Sequence, residues 1–179
     1  MNFGAAFLFD EATEAVLRGL WQSLADAGLS TFMLGLDYPP HMTLWMAEEF
    51  DLAGMRGALQ TLAAATPPQP VTFTALGVFR GETGVVYLSP ITGPKLVDLH
   101  ARFWSEAEPH MRGAPAYYAP GQWVPHVTLG FNLPPGVLGA AVEVLASAPW
   151  PQAPAIRGVL FGEYHIGGGS KLETIAFSG

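Results

Sequence analysis

The sequence predicts an α+β fold in which one αβ unit is written twice, giving two lobes about a pseudo-twofold axis that share one cleft. Three observations predict it. Pro-His-x-Thr-Leu stands at Pro40–Leu44 and again at Pro125–Leu129. Strand, helix, histidine strand, helix, strand is the reading of both halves. And the 179 residues, 50% hydrophobic and 13% charged, suffice for one large apolar core without staples. The repeat needs a cause, because two such matches among 5 histidines arise by accident on the order of once in two thousand chains of this composition.

The elements follow from periodicity and punctuation. Phe3 to Phe9 is an apolar run of strand length. After it Val16, Leu17, Leu20 and Leu24 recur at helical spacing, with acidic residues in the first turn and Gly28 as a stop. His41 to Trp45 reads as a strand behind Tyr-Pro-Pro, and a helix opening at Asp51 carries Leu52, Met55, Leu59 and Leu62 until Pro67 and Pro68 close it. Val71 to Phe79 alternates like a half-buried strand. The second half repeats the order. Val85 to Ser89 is a strand, and Pro94 opens a helix with Leu96, Leu99 and Phe103 that stops before Pro109. His126 to Phe131 is the second histidine strand. Val137, Leu138, Ala141, Val142 and Leu145 mark a helix closed by Pro149, and Ile156–Ile166 with Leu172–Phe177 reads as a hairpin around Gly167–Ser170.

Shifting one half onto the other by the separation of the two histidines (126 − 41 = 85 residues) sets Tyr38 on Trp123, Pro40 on Pro125, Thr43 on Thr128, Leu44 on Leu129 and Val71 on Ile156. The expected organisation is a single domain over 1–179, with lobes built roughly from 1–80 and 81–179.

Composition narrows the chemistry. With Cys 0 there are no disulfides, thiolate nucleophiles or sulfur-ligated metals. A net charge of −7, with only 8 Lys and Arg, argues against a long nucleic-acid footprint, which depends on clustered cations displacing counterions. A nucleic-acid substrate would be gripped at a terminus or as a small fragment. No basic leader and no membrane-length apolar stretch is present, so the expectation is a soluble, cytoplasmic protein without membrane partners.

Side chains alternate along a strand, so His41 and Thr43 share one face while Met42 and Leu44 enter the core, and His126 and Thr128 do the same beside Val127 and Leu129. Across a cleft, a neutral imidazole takes a proton from water and a protonated one gives a proton to a leaving oxygen. The two hydroxyls donate to charge-bearing oxygens between them. A phosphodiester fits this set best, because in-line displacement needs attack and departure on opposite sides of phosphorus. Neither motif has a second His or a carboxylate at ligand spacing, so no metal and no cofactor is expected and a zinc hydrolase is a distant alternative.

"HMTL" at His41–Leu44 and "HVTL" at His126–Leu129 resemble the paired His-x-Thr-hydrophobic motifs of the two-histidine phosphoesterase superfamily, which includes the RNA 2',3'-cyclic phosphodiesterases historically called 2'-5' RNA ligases. "YYAPGQWVPHVTLG" at Tyr117–Gly130 and the hairpin ending are similar to the ligase-like branch. The resemblance implies a bilobal fold with antiparallel sheets flanking a central cleft and helices outside. It implies metal-independent opening of a 2',3'-cyclic phosphate on an RNA terminus or small nucleotide, with a 2'-phosphate as product. By carry-over His41 and His126 are the acid and base, and Thr43 and Thr128 hold the phosphate. Rival readings are a 2'-5' oligonucleotide phosphodiesterase or RNA end-joining activity, and a nucleotide-binding module without useful turnover.

Other candidates are weighed one by one. Tyr38 and Trp123, matched by the offset, either stack a nucleobase or pack beside the prolines, and Tyr118 stands equally open. Arg80 and His165 are matched too (165 − 80 = 85) and follow Phe79 and Tyr164. They reach the phosphate or base only if those strand ends meet the cleft; exposed strand ends are the favoured reading. His100 reads as helix packing or surface, His110 as loop, and Lys171 as a solvated charge.

Overall fold

A computed structural model describes residues 2–166 and 168–179. Gly167, part of the expected hairpin turn, lies outside the described residues. The chain runs β1 (Phe3–Phe9), α1 (Glu11–Asp26), β2 (His41–Ala47), β3 (Glu49–Phe50), α2 (Leu52–Ala64), β4 (Gln69–Pro70), β5 (Phe73–Phe79) and β6 (Gly84–Pro90). It continues through α3 (Pro94–Ala107), β7 (Met111–Arg112), β8 (Val127–Leu133), α4 (Leu138–Ser147), β9 (Ala155–Glu163) and β10 (Lys171–Ala176). Helix boundaries follow the capping chemistry. Asp10 accepts the Thr13 N–H at 2.9 Å to start α1, and accepts the Ala155 N–H at 2.9 Å, which ties the helix end to β9. Asp51 caps α2 through the Gly54 N–H, Pro94 opens α3, and Gly28 takes φ 67° just past α1.

The strand order is β10-β9-β1-β2-β8-β6-β5, every pairing antiparallel, with β4 on the side of β9 and a separate β3-β7 ribbon. One pair, Met42 opposite Val127, joins β2 to β8. Two sheets therefore meet along a seam at the two motifs. α2 and α3 cover the first sheet, and α1 and α4 cover the second. A single apolar cluster runs through both lobes, from Phe7, Phe103 and Phe161 to Trp21, Leu129 and Leu145.

The lobes are not the contiguous stretches 1–80 and 81–179. β5 and α1 come from the first half yet belong to the second lobe, while β9, β10 and α3 do the reverse. The reason is local. Phe73–Phe79 pairs with Gly84–Pro90 across a short connection, and that low-entropy hairpin spans the expected boundary at residue 80. The pseudo-twofold order survives as β9-β1-β2 against β5-β6-β8, with one helix exchanged each way and β10 added at the edge of the first sheet.

The motifs share a further irregularity. In β2, Trp45 pairs with Ala5 and Thr43 with Ala6, leaving Leu44 as an extra residue; in β8, Gly130 pairs with Val86 and Thr128 with Tyr87, leaving Leu129 extra. Each is a β-bulge on the motif leucine, which turns the strand immediately after the His-x-Thr face. The alternation expected from the sequence holds up to that point. His41 and Thr43 are half-buried, Met42 and Leu44 fully buried, and then buried Trp45 follows Leu44 directly.

Candidate active site

His41 is the first residue of β2, and His126 stands immediately before β8. Each imidazole is pinned in the same way. Nδ1 of His41 lies 2.9 Å from the Pro39 carbonyl and Nδ1 of His126 lies 2.8 Å from the Val124 carbonyl. A carbonyl only accepts, so each Nδ1 carries the proton and the lone pair of the neutral ring sits on Nε2. The prolines at Pro40 and Pro125 fall inside these turns, where a missing N–H costs nothing and the preset φ holds the loop.

Two adjoining cavities of about 380 Å³ each open on this seam. The first is lined by His41, Thr43, Tyr38, Tyr164 and His165 among others, the second by His126, Trp123, Tyr118, Phe79 and Val85; Thr128 and Phe131 line both. The cleft thus brings both histidines and both threonines together. Aromatic rings brace each histidine: Tyr38 at 5.5 Å and Tyr164 at 6.3 Å from His41, Phe79 at 4.8 Å and Tyr87 at 5.3 Å from His126. Tyr164 and Phe79 are themselves an offset pair (164 − 79 = 85). Because β5 and β9 are exchanged between lobes, each ring reaches the histidine of the other half.

Burial pushes the His41 imidazole below its ordinary value of 6.5; the Pro39 carbonyl works against that, and a charge on His126 adds to it. Burial likewise lowers His126, opposed by the Val124 carbonyl. Both rings are therefore neutral at pH 7. An anionic ligand between them favours the charged form, so binding recruits a proton to one of the two.

Indole N–H groups bond the threonine carbonyl that precedes each bulged leucine. The Trp123 indole donates to the Thr43 carbonyl at 2.9 Å, and the Trp21 indole donates to the Thr128 carbonyl at 3.0 Å. His100, fully buried on α3, places Nε2 3.3 Å from the Leu44 carbonyl and stacks on Trp123 at 4.1 Å with 7° between planes. Burial holds the His100 imidazole down at about 4. His100, Trp21 and the bulges were not legible as site supports from spacing, which sees only the chain's own neighbours.

Among the remaining candidates, Tyr38, Tyr118, Trp123 and His165 line the cleft, although one face of Trp123 is covered by His100. His165 Nε2 lies 3.3 Å from a Glu163 carboxylate oxygen. Arg80 is exposed beyond the end of β5 and lines neither cavity. Its predecessor Phe79 turns toward His126, and strand alternation sends the next side chain the other way. Among the described residues, no group of three His, Asp or Glu side chains converges as metal ligands, and no helix is long and apolar enough to cross a membrane.

Residues 14–157 match the family model of the 2'-5' RNA ligase superfamily. The chain belongs to that superfamily. This bears out the resemblance carried by the two His-x-Thr-Leu segments. A curated relative named "Putative phosphoesterase", from Geobacillus thermodenitrificans (strain NG80-2), is 33% identical over 99 residues, which is 54% of this chain and 53% of the relative. The match thus spans about half the length of each. Among solved structures, TT0787 of Thermus thermophilus superposes with a TM-score of 0.60 at 17% identity, covering 100% of this chain and 99% of that one. E. coli LigT complexed with 3'-AMP gives a TM-score of 0.55 at 16% identity, covering 99% and 98%. At these identities the likeness is one of fold.

Proposed function

We propose that the chain is a metal-independent phosphoesterase that opens the 2',3'-cyclic phosphate of an RNA end or small nucleotide by paired-histidine acid–base catalysis. One observation carries the reading: two imidazoles, each with Nδ1–H anchored to the carbonyl two residues upstream, leave both Nε2 atoms for one cleft, with a threonine hydroxyl two residues beyond each. LigT, of the same fold, was crystallised with a nucleotide, which supports a nucleotide ligand here.

In this scheme the neutral histidine takes a proton from water as its oxygen bonds to phosphorus. The P–O3' bond breaks on the opposite side, and the protonated histidine gives its proton to the departing 3' oxygen. A nucleoside 2'-phosphate results. Thr43 and Thr128 donate to the non-bridging oxygens, where charge accumulates in the pentavalent transition state.

The test is turnover of each nucleoside 2',3'-cyclic phosphate in excess chelator, beside His41→Ala and His126→Ala, with the phosphate position in the product identified. Each variant is expected to lose roughly 10²- to 10⁴-fold in kcat while staying folded, the range for a positioned proton-transfer group. A 2'-phosphate product assigns the 3' oxygen as leaving group. Turnover that vanishes in chelator, or survives in both variants, overturns the mechanism.

A further inference from the structure

The cleft has a property that paired-histidine chemistry does not require. Among the described residues, neither chamber is lined by Lys or Arg. Phe32, Leu36, Tyr38 and Tyr164 wall the first, and Phe79, Val85, Tyr117 and Trp123 wall the second. The mouths are apolar too: Ile166 is 72% exposed at the first, and Tyr117 and Val124 are 57% and 48% exposed at the second. Beside the first mouth stand two carboxylates and one lysine. Glu163 faces His165, Lys171 lies 3.9 Å from the same Glu163 side chain, and Asp37 accepts the Ser170 N–H at 2.9 Å. The Tyr164 ring lines the first chamber, its hydroxyl is buried without a protein partner, and burial keeps that hydroxyl protonated, so it adds no charge to the wall.

A site that tracks a polyanion needs cations along its path, and a second phosphate placed against apolar walls would stay unpaired. The chain's net charge of −7 adds repulsion at longer range. Flat groups of low charge are what aromatic walls hold well.

We propose that the cleft selects a phosphodiester whose only phosphate lies between the histidines and whose remaining body is weakly charged and flat or apolar, held by the aromatic walls, and discriminates against a ligand with a second phosphate nearby. The proposal rests on the phosphoesterase reading above, and its test separates the two. kcat/KM would be measured for uridine 2',3'-cyclic phosphate, its 5'-phosphorylated form and a tetranucleotide ending in the same cyclic phosphate, at low and raised salt. The 5'-phosphorylated substrate is expected to be worse by about tenfold or more at low salt, and the gap should narrow as salt screens the repulsion. Ile166→Lys or Val124→Lys, which put a cation at an exposed mouth, should narrow it as well. Rates that rise with each added phosphate and fall steeply with salt overturn the proposal.

Calorimetry with uridine 2'-monophosphate and uridine 2',5'-bisphosphate supplies an arm free of turnover. Tighter binding of the monophosphate without any cyclic-phosphate hydrolysis would sink the enzymatic reading and leave the charge selectivity standing. Equal or tighter binding of the bisphosphate, or binding of neither, overturns the selectivity.

Discussion

At the scale of single residues, three histidines differ by what surrounds their rings. His41 and His126 are depressed by burial but keep Nε2 for the cleft, so the free enzyme's two titrations both fall below 6.5. The bell-shaped profile of kcat/KM, which reports free-enzyme groups, is therefore expected to peak on the acid side of pH 6.5, and a maximum above pH 7 would contradict the pair assigned here. His100 is depressed for a structural purpose: neutral, it donates to the Leu44 carbonyl and lies flat on Trp123. Its folded value of about 4 lies below the ordinary 6.5, so as pH falls the unfolded chain takes the proton first. The His100 contribution is thus complete above pH 6.5 and is lost toward pH 4, amounting to about 3 kcal/mol at one pH unit per 1.36 kcal/mol. Urea denaturation at pH 7.5 and pH 4.5 checks this. The loss on acidification should be smaller in His100→Phe than in the parent, whereas an equal loss would remove His100 as its source.

At the scale of elements, the motif strands work because they are interrupted. A regular strand would carry Leu44 and Leu129 in its ladder and continue straight past the cleft. The bulges instead turn each strand after threonine, and indole N–H donors hold the threonine carbonyls at the turn. Trp123→Phe keeps most of the packing and deletes the donor to Thr43. It should cost about 1–3 kcal/mol of stability for the unsatisfied carbonyl, with kcat falling more than KM rises because Thr43 loses its position and not its hydroxyl. β5 holds a second lever. Gly77 lies opposite Tyr87, and a Cβ there would enter the Tyr87 ring that flanks His126. Gly77→Ala is expected to lower kcat by roughly tenfold though Gly77 itself lines neither cavity, and an unaltered rate would show that Tyr87 does not hold the imidazole.

At the scale of the whole molecule, the exchange of β5 and β9 makes the two lobes one folding unit. Residues 1–80 contain β5 without β6, and the first sheet lacks β9 and β10 until residue 176 is in place. A fragment of residues 1–80 is expected to be unfolded by circular dichroism. Calorimetry of the whole chain should give one transition with equal calorimetric and van't Hoff enthalpies; two resolved transitions would mean that the lobes are independent. The sequence by itself determined what depends on near neighbours. Apolar periods and caps placed the main strands and helices, and the repeated His-x-Thr-Leu, with its 85-residue offset, revealed the duplication and the four cleft residues. The same offset also paired Phe79 with Tyr164, but did not reveal their contacts with the two histidines. Only the tertiary structure decided which lobe each strand joins, that the motif leucines bulge, that Trp21, Trp123 and His100 hold the bulged backbone, and that Arg80 stays outside. These depend on pairings between residues distant in sequence, which local spacing does not encode: a strand's period says which face is buried, and its partner is set by whichever sheet edge the chain brings to it.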